Sequence, residues 1–137
     1  MSFSIEPFST LGVGSLPYRE GENGCREVFE EWDIPFWPQY PARTLRENFL
    51  FQFLSAFPGL KVSENEALFD EKEYLTHEKE YEGKFAEAFI KKEFSYFEPT
   101  KDWALGYWQM KELLSSSDFL KKKIIKLQVT GPATIWE

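Results

Sequence analysis

The sequence predicts an α/β fold in which short strands alternate with helices and lie parallel in one sheet. Two apolar runs, Leu11–Leu16 and Ile124–Thr130, each lead into a turn rich in glycine or proline, which is typical of a buried strand. A third short apolar run, Ile34–Trp37, is bounded by Pro38 and Pro41. Because helical periodicity separates these runs, the pattern favours parallel strands joined by helical crossovers.

The first half of the chain predicts two helices. After the first strand, one apolar stripe at helical spacing indicates a helix (Cys25, Val28, Phe29, Trp32). After the second strand, Thr44 and Glu47 form a capping-box pattern that opens a helix with a wide apolar face, which runs to Phe57. Pro58 and Gly59 are expected to end it.

The middle of the chain reads as a helical insertion between the second and third strands. Residues Leu60–Thr76 are acidic and without a steady period, apart from a short strand predicted at Leu60–Val62. A helix is predicted from His77 onward, with one apolar face (Tyr81, Phe85, Ala88, Phe89). Asp102 is positioned to cap a last helix that runs to Leu114 and is broken by the serines that follow.

The third strand alternates two kinds of side chain. Ile125, Leu127 and Val129 are apolar, whereas Lys126, Gln128 and Thr130 are polar. In an α/β barrel the apolar set would face the helices and the polar set would point inward, where a substrate can be reached.

Composition narrows the class of protein. The 137 residues amount to one domain, and the net charge of −7 disfavours nucleic acid as a partner. The basic run Lys121–Lys123, with Lys126, is interpreted as a solvated helix end. A single cysteine, no signal-peptide pattern and no long apolar run favour a cytoplasmic protein that does not engage a membrane.

Polar residues at the strand ends are the candidate binding groups. Gly14 and Ser15 can offer backbone N–H groups and a hydroxyl to a carboxylate or phosphate; the alternative is a tight turn without a ligand. Gln39 and Arg43 follow the second strand and can bind a carboxylate, or can be ordinary loop residues on the surface. Cys25 is expected in the core and His77 on the surface, so no metal site is predicted within the chain.

Three ordered motifs carry a resemblance to a known family. Gly12-Val13-Gly14-Ser15-Leu16-Pro17, then the run from Asp33 to Pro41, then Leu127 to Thr134 together resemble the cobalamin-independent methionine synthase-like family. The chain is most similar to the short single-barrel members of the uroporphyrinogen decarboxylase and methionine synthase superfamily.

The resemblance implies a TIM-type (β/α)8 barrel in which zinc activates a thiol for methyl transfer. It implies that Gly14 and Ser15 hold the amino-acid part of a substrate such as homocysteine. Thr130, at the end of the third strand, is a further candidate substrate-binding residue. Gln39 stands where the synthases carry a substrate-binding glutamate, which leaves another thiol or acceptor open. Tyr18 replaces a histidine of many short members.

The resemblance covers residues 1–137 as about three of the barrel's eight strands. The zinc ligands of the family lie on later strands, so zinc is expected only in a complete member, and the chain alone is expected to be inactive. An open sheet edge would favour self-association or a complementing C-terminal chain. The alternatives are a non-catalytic remnant or interaction protein, and a decarboxylase-like protein.

Overall fold

The computed structural model describes residues 5, 7–19, 24–116 and 124–129. In this part of the chain there are three α-helices: α1 (Gly24–Glu31), α2 (Glu71–Lys91) and α3 (Leu105–Ser116). Two short strands, β1 (Leu60–Val62) and β2 (Ala67–Phe69), form an antiparallel hairpin. Single 3₁₀ turns lie at Leu45–Glu47 and Ser95–Phe97.

Three extended segments, residues 11–16, 34–39 and 124–129, lie side by side. Single parallel bridges join Leu11 to Ile34 and Ser15 to Gln39, and a third joins Phe36 to Lys126. The second segment therefore lies between the first and the third. The pairing is limited to isolated bridges, so these segments do not form the continuous strands that the sequence predicts.

The start of the first two segments is fixed by one carboxylate. Asp33 Oδ2 accepts hydrogen bonds from both the backbone N–H and the hydroxyl of Thr10, each at 2.8 Å. The backbone N–H of Ile34 also donates to the Thr10 carbonyl, at 3.2 Å. These bonds set the register in which the later residues of the two segments meet.

The main core lies on one side of these segments, against α1 and α3. It contains the buried Cys25, Phe29, Trp37 and Met110, with Ile125 of the third segment packed against them. Trp37 meets Tyr107 of α3 edge to face, with the ring centroids 5.6 Å apart. All three apolar side chains of this segment were predicted to face the helices. Ile125 does so, whereas Leu127 and Val129 are exposed.

A second, aromatic cluster attaches the β-hairpin and α2 to the loop that follows the 3₁₀ turn. Phe57 stacks on Tyr74 at 5.6 Å and meets Tyr81 edge to face at 5.5 Å. Tyr81 in turn meets Phe97 at 5.6 Å. The remainder of α2 is exposed, with Ala88 as its buried residue.

The prediction of a helix from Thr44 to Phe57 was wrong. Only one 3₁₀ turn forms, and Asn48 then leaves the helical conformation, with φ −65° and ψ 145°. A capping box needs Glu47 to bond back to the N-cap, but its carboxylate turns into the core and accepts a bond from Leu105 instead. Asn48 Oδ1 accepts from Leu50 N at 3.1 Å, which starts a new turn.

Other predicted boundaries also change. Helix α2 begins at Glu71 rather than His77, because Asp70 caps it by accepting from Glu73 N at 3.0 Å. Helix α3 begins at Leu105, so Asp102 is not its N-cap. Ser115 and Ser116 lie inside α3 and bond back to the carbonyls of Lys111 and Leu113. The short strand Leu60–Val62 is confirmed, and its partner β2 was missed.

In the first segment, burial falls on the glycines instead of the apolar residues. Gly12 and Gly14 are buried, whereas Leu11 is 50% exposed and Val13 is 89% exposed. The prediction of a buried apolar strand was therefore wrong in this detail. Phe36 and Trp32 fill the space beside Gly12, and Gln128 of the third segment fills the space beside Gly14.

Candidate functional site

The ends of the first two extended segments bring Ser15 and Gln39 together. Gln39 N donates to the Gly14 carbonyl at 2.9 Å, and Leu16 N donates to the Gln39 carbonyl at 2.8 Å. The Ser15 hydroxyl faces Gln39 Oε1 at 3.4 Å, which is longer than an ordinary hydroxyl hydrogen bond. Ser15 is exposed, and Gln39 is only 4% exposed. The hydroxyl is therefore held at a rim by the segments and is accessible from solvent.

The third segment adds Gln128 on the same side. A Cβ placed on Gly14 would lie 2.1 Å from Gln128 Nε2, so the amide occupies the space that a larger residue at position 14 would need. The amide also donates to the Trp37 carbonyl at 3.3 Å. Gly14 has a φ of 142°, a conformation that favours glycine. The conformation is the stronger reason for glycine at this position, because the Gln128 amide is the end of a flexible side chain.

Lys126 crosses the middle segment to reach the first one. Its ammonium lies over the Phe36 ring, 5.8 Å from the centroid, and donates to the carbonyls of Gly12 at 2.9 Å and Val13 at 2.7 Å. Successive carbonyls of a regular strand point in opposite directions, so their convergence on one ammonium shows that the backbone bends here. The bend continues at Gly14, directly before the bridge that Ser15 makes with Gln39.

We refer to Gly14, Ser15, Gln39, Lys126 and Gln128 as the strand-end cluster. Its side chains are a hydroxyl, two amides and an ammonium. Such groups donate hydrogen bonds, and the ammonium adds a positive charge, so the cluster suits a carboxylate or another polar anionic group. The set contains no nucleophile activated by a base. It can bind and orient a ligand but offers no acid–base pair for chemistry.

Lys126 and Gln128 were predicted as members of the inward polar set, and Lys126 was also assigned with Lys121–Lys123 to a solvated helix end. The structure corrects the other interpretation of Lys126: it lies on an extended segment and not at a solvated helix end. The signal that could have found both residues is the polar and apolar alternation of the third strand. No pattern in the sequence indicated that Lys126 would bond to the backbone of the first segment.

Arg43 lies after the second segment and is engaged by a neighbour. Its Nη1 donates to Glu47 Oε1 at 2.8 Å, and the Arg43 side chain is 28% exposed. The Arg43 backbone N–H donates to the Tyr40 carbonyl, which closes a turn. The guanidinium therefore organises this loop, and a ligand would have to share it with Glu47.

Glu47 is a buried carboxylate that the sequence presented only as part of a capping box. Its side chain is fully buried, and Oε1 also accepts from the backbone N–H of Leu105 at 2.9 Å, at the start of α3. Burial raises the pKa of Glu47, while the bonds from Leu105 and Arg43 oppose that rise. Oε2 is buried without a hydrogen-bond partner among the described residues. Glu47 thus joins the loop after the second segment to α3.

Tyr18 anchors the loop that follows the first extended segment. Its hydroxyl donates to Glu27 Oε2 of α1 at 2.6 Å. The bond to this carboxylate raises the pKa of Tyr18. Tyr18 therefore holds this loop against α1.

The other predicted site residues are placed as follows. Thr130 lies outside the described residues. Cys25 is buried in the core, as predicted, and burial raises the pKa of its thiol to about 12. His77 is exposed on α2, 3.8 Å from Glu80. Over the part of the chain that the structure describes, no three His, Cys, Asp or Glu side chains are grouped in a way that could hold a metal ion.

Comparison with protein-family models, with curated proteins and with solved structures returned no match for the chain. The α/β class follows from the structure, and the family resemblance rests on the sequence motifs alone. None of the described helices has the length and apolar character needed to cross a membrane.

Proposed function

We propose that this chain is the N-terminal part of a methionine synthase-like barrel and contributes part of the substrate site for zinc-dependent methyl transfer to a thiol such as homocysteine. The observation that carries the proposal is the parallel bridge between Ser15 and Gln39, with Gln128 lying over Gly14. It joins the first two motifs of the resemblance at one rim and adds a residue of the third.

The strand-end cluster supports a substrate with a carboxylate at one end. Ser15 supplies an exposed hydroxyl, and Lys126 and Gln128 approach the same bend from the third segment. Gln39 is a neutral amide, which cannot pair with a substrate ammonium as a glutamate would. We therefore propose a thiol acid as the substrate class, with the amino group of homocysteine contributing little to affinity.

In this proposal the chain binds the substrate, and strands outside it bind the zinc. The strand-end cluster binds and orients the thiol substrate. Zinc, which would lower the pKa of the thiol and so generate the nucleophilic thiolate, is assigned to residues outside these three segments. The chain alone is expected to bind the substrate without methylating it.

The proposal is tested by titrating the ¹⁵N-labelled chain with L-homocysteine and following the amide signals by NMR. We expect shifts centred on Gly14, Ser15 and Gln39. Gly14→Ala forces a strained φ and displaces the Gln128 amide, so its dissociation constant should rise at least tenfold, or about 1.4 kcal/mol.

Gly83→Ala is the matched control, because a Cβ at Gly83 on α2 would meet no atom within 4 Å. It should bind as the unmodified chain does. The absence of shifts at the cluster, or equal binding by Gly14→Ala, would contradict the proposed site. Zinc-dependent methylation of the thiol by the chain alone would contradict the division of labour.

A further inference from the structure

Helix α2 carries an exposed face that is separate from the strand-end cluster. Tyr74, Tyr81 and Ala88 face the body of the protein. On another face, Leu75 is 61% exposed, Phe89 is 57% exposed and Ile90 is 82% exposed. Large apolar side chains grouped on one exposed face are typical of an interaction surface.

The residues on this face follow a regular seam. Leu75, Lys79, Glu82, Ala86 and Phe89 are spaced alternately by four and three, which places them in one line along the helix. All five are exposed. We call this line the α2 seam. Its ends are apolar, and its centre holds one positive and one negative side chain.

We propose that the α2 seam is the interface of a homodimer in which two copies of α2 pack antiparallel. A two-fold axis between Lys79 and Glu82 places Lys79 opposite Glu82 of the second copy, and the reverse contact follows from symmetry. The same register places Leu75 opposite Ala86 of the second copy. Each central charge then meets its opposite, Leu75 is covered by Ala86 of the second copy, and Phe89 lies opposite the side chain of Lys72 of that copy.

The order of Lys79 and Glu82 along α2 favours an antiparallel orientation and a second copy of the chain as the partner. Aligned in parallel, Lys79 would lie beside Lys79 of the second copy and Glu82 beside Glu82, which is repulsive. A second copy supplies the opposite charges in the reversed order that the antiparallel register needs. The net charge of −7 on each chain opposes association, so the dimer should be stable at physiological ionic strength and weaken at low salt.

The test is sedimentation equilibrium of the full chain from about 1 to about 200 µM, which covers association free energies between roughly −8 and −5 kcal/mol. We expect a monomer–dimer equilibrium within this range. Lys79→Glu and Glu82→Lys each place like charges together twice, so either change should raise the dissociation constant at least tenfold, or about 1.4 kcal/mol.

The double variant Lys79→Glu with Glu82→Lys restores opposite charges in the same register and should dimerise within about threefold of the unmodified chain. Glu80→Lys is the matched control, since Glu80 lies off the seam and its reversal should leave dimerisation unchanged. Far-UV circular dichroism confirms folding of each variant.

A chain that stays monomeric over the whole range would overturn the proposal, as would a dimer that either single reversal leaves intact. A double variant that fails to recover would overturn the antiparallel register. The binding of homocysteine is read out separately, so this result does not depend on the proposed function.

Discussion

The approach of α3 to the second extended segment gives the sharpest prediction about stability. A Cβ added to Gly106, in the first turn of α3, would lie 1.9 Å from the Pro38 carbonyl oxygen and 2.9 Å from its carbon. Ordinary contacts between carbon and a carbonyl oxygen are about 3.3 Å or longer. Gly106→Ala therefore requires the helix and the segment to move apart by about 1.4 Å.

Neither side can yield at low cost. The obstructing atom belongs to the backbone, and Pro38 is fully buried. Moving α3 instead would stretch the bond from Leu105 N to Glu47 Oε1 at 2.9 Å and the bond from the Tyr40 hydroxyl to Gln109 Oε1 at 2.7 Å. Overpacking costs about 1–3 kcal/mol, and a weakened helix cap adds about 1 kcal/mol.

Alanine also favours a helix over glycine by about 1 kcal/mol, which offsets part of this cost. We therefore expect Gly106→Ala to lower the free energy of unfolding by about 1–3 kcal/mol. Gly83→Ala in α2 makes the same chemical change where no atom lies within 4 Å. It should raise that free energy by up to about 1 kcal/mol.

The measurement is urea unfolding at low protein concentration, followed by the fluorescence of the tryptophans, among which Trp37 is buried. The two variants should move the midpoint in opposite directions at a similar m value. If Gly106→Ala is as stable as the unmodified chain while Gly83→Ala behaves as expected, α3 does not press on the Pro38 carbonyl, and the prediction is wrong.

Two further predictions concern buried ionisable groups. Burial raises the pKa of Glu47 in the folded chain, so ionisation of Glu47 lowers the free energy of unfolding. This loss of stability is absent below the ordinary pKa of a glutamate and grows as the pH rises through the folded pKa. Urea unfolding should therefore show Glu47→Gln gaining stability relative to the unmodified chain between pH 4 and 7, and a difference that is constant or falls would contradict this. Because burial raises the pKa of Cys25 to about 12, the folded chain should react with a thiol reagent at pH 8 roughly a thousandfold more slowly than the unfolded chain in guanidinium. Equal rates would mean that the thiol is exposed.

Local sequence signals predicted the elements that depend on local interactions. The stripe containing Cys25, Val28 and Phe29 gave a helix at the expected place, and Leu60–Val62 formed a short strand. The backbone bends at Gly14, but Ser15 makes a parallel bridge to Gln39, and the sharp turn predicted at Ser15–Pro17 does not form. The helix and the short strand were predictable because periodicity and turn chemistry act between residues that are near in the chain.

Two of the failures, the helix at Thr44–Phe57 and the start of α3, share one physical cause. The Thr44–Glu47 pattern is a valid local signal for a helix, but the Glu47 carboxylate is drawn to Leu105, 58 residues away. That bond removes the reciprocal cap and also moves the start of α3 past Asp102. A local preference of about 1 kcal/mol is easily outweighed by a buried charge-assisted contact.

By itself, the sequence determined the helix that follows the first segment, the short strand Leu60–Val62 and the polar side chains of the third segment. The tertiary structure decided which of these residues meet. Lys126 reaches the Gly12 carbonyl from 114 residues away, and Gln128 fills the space above Gly14. Such contacts depend on how the segments pack side by side, because residues far apart in the chain have no common period from which their distance can be read.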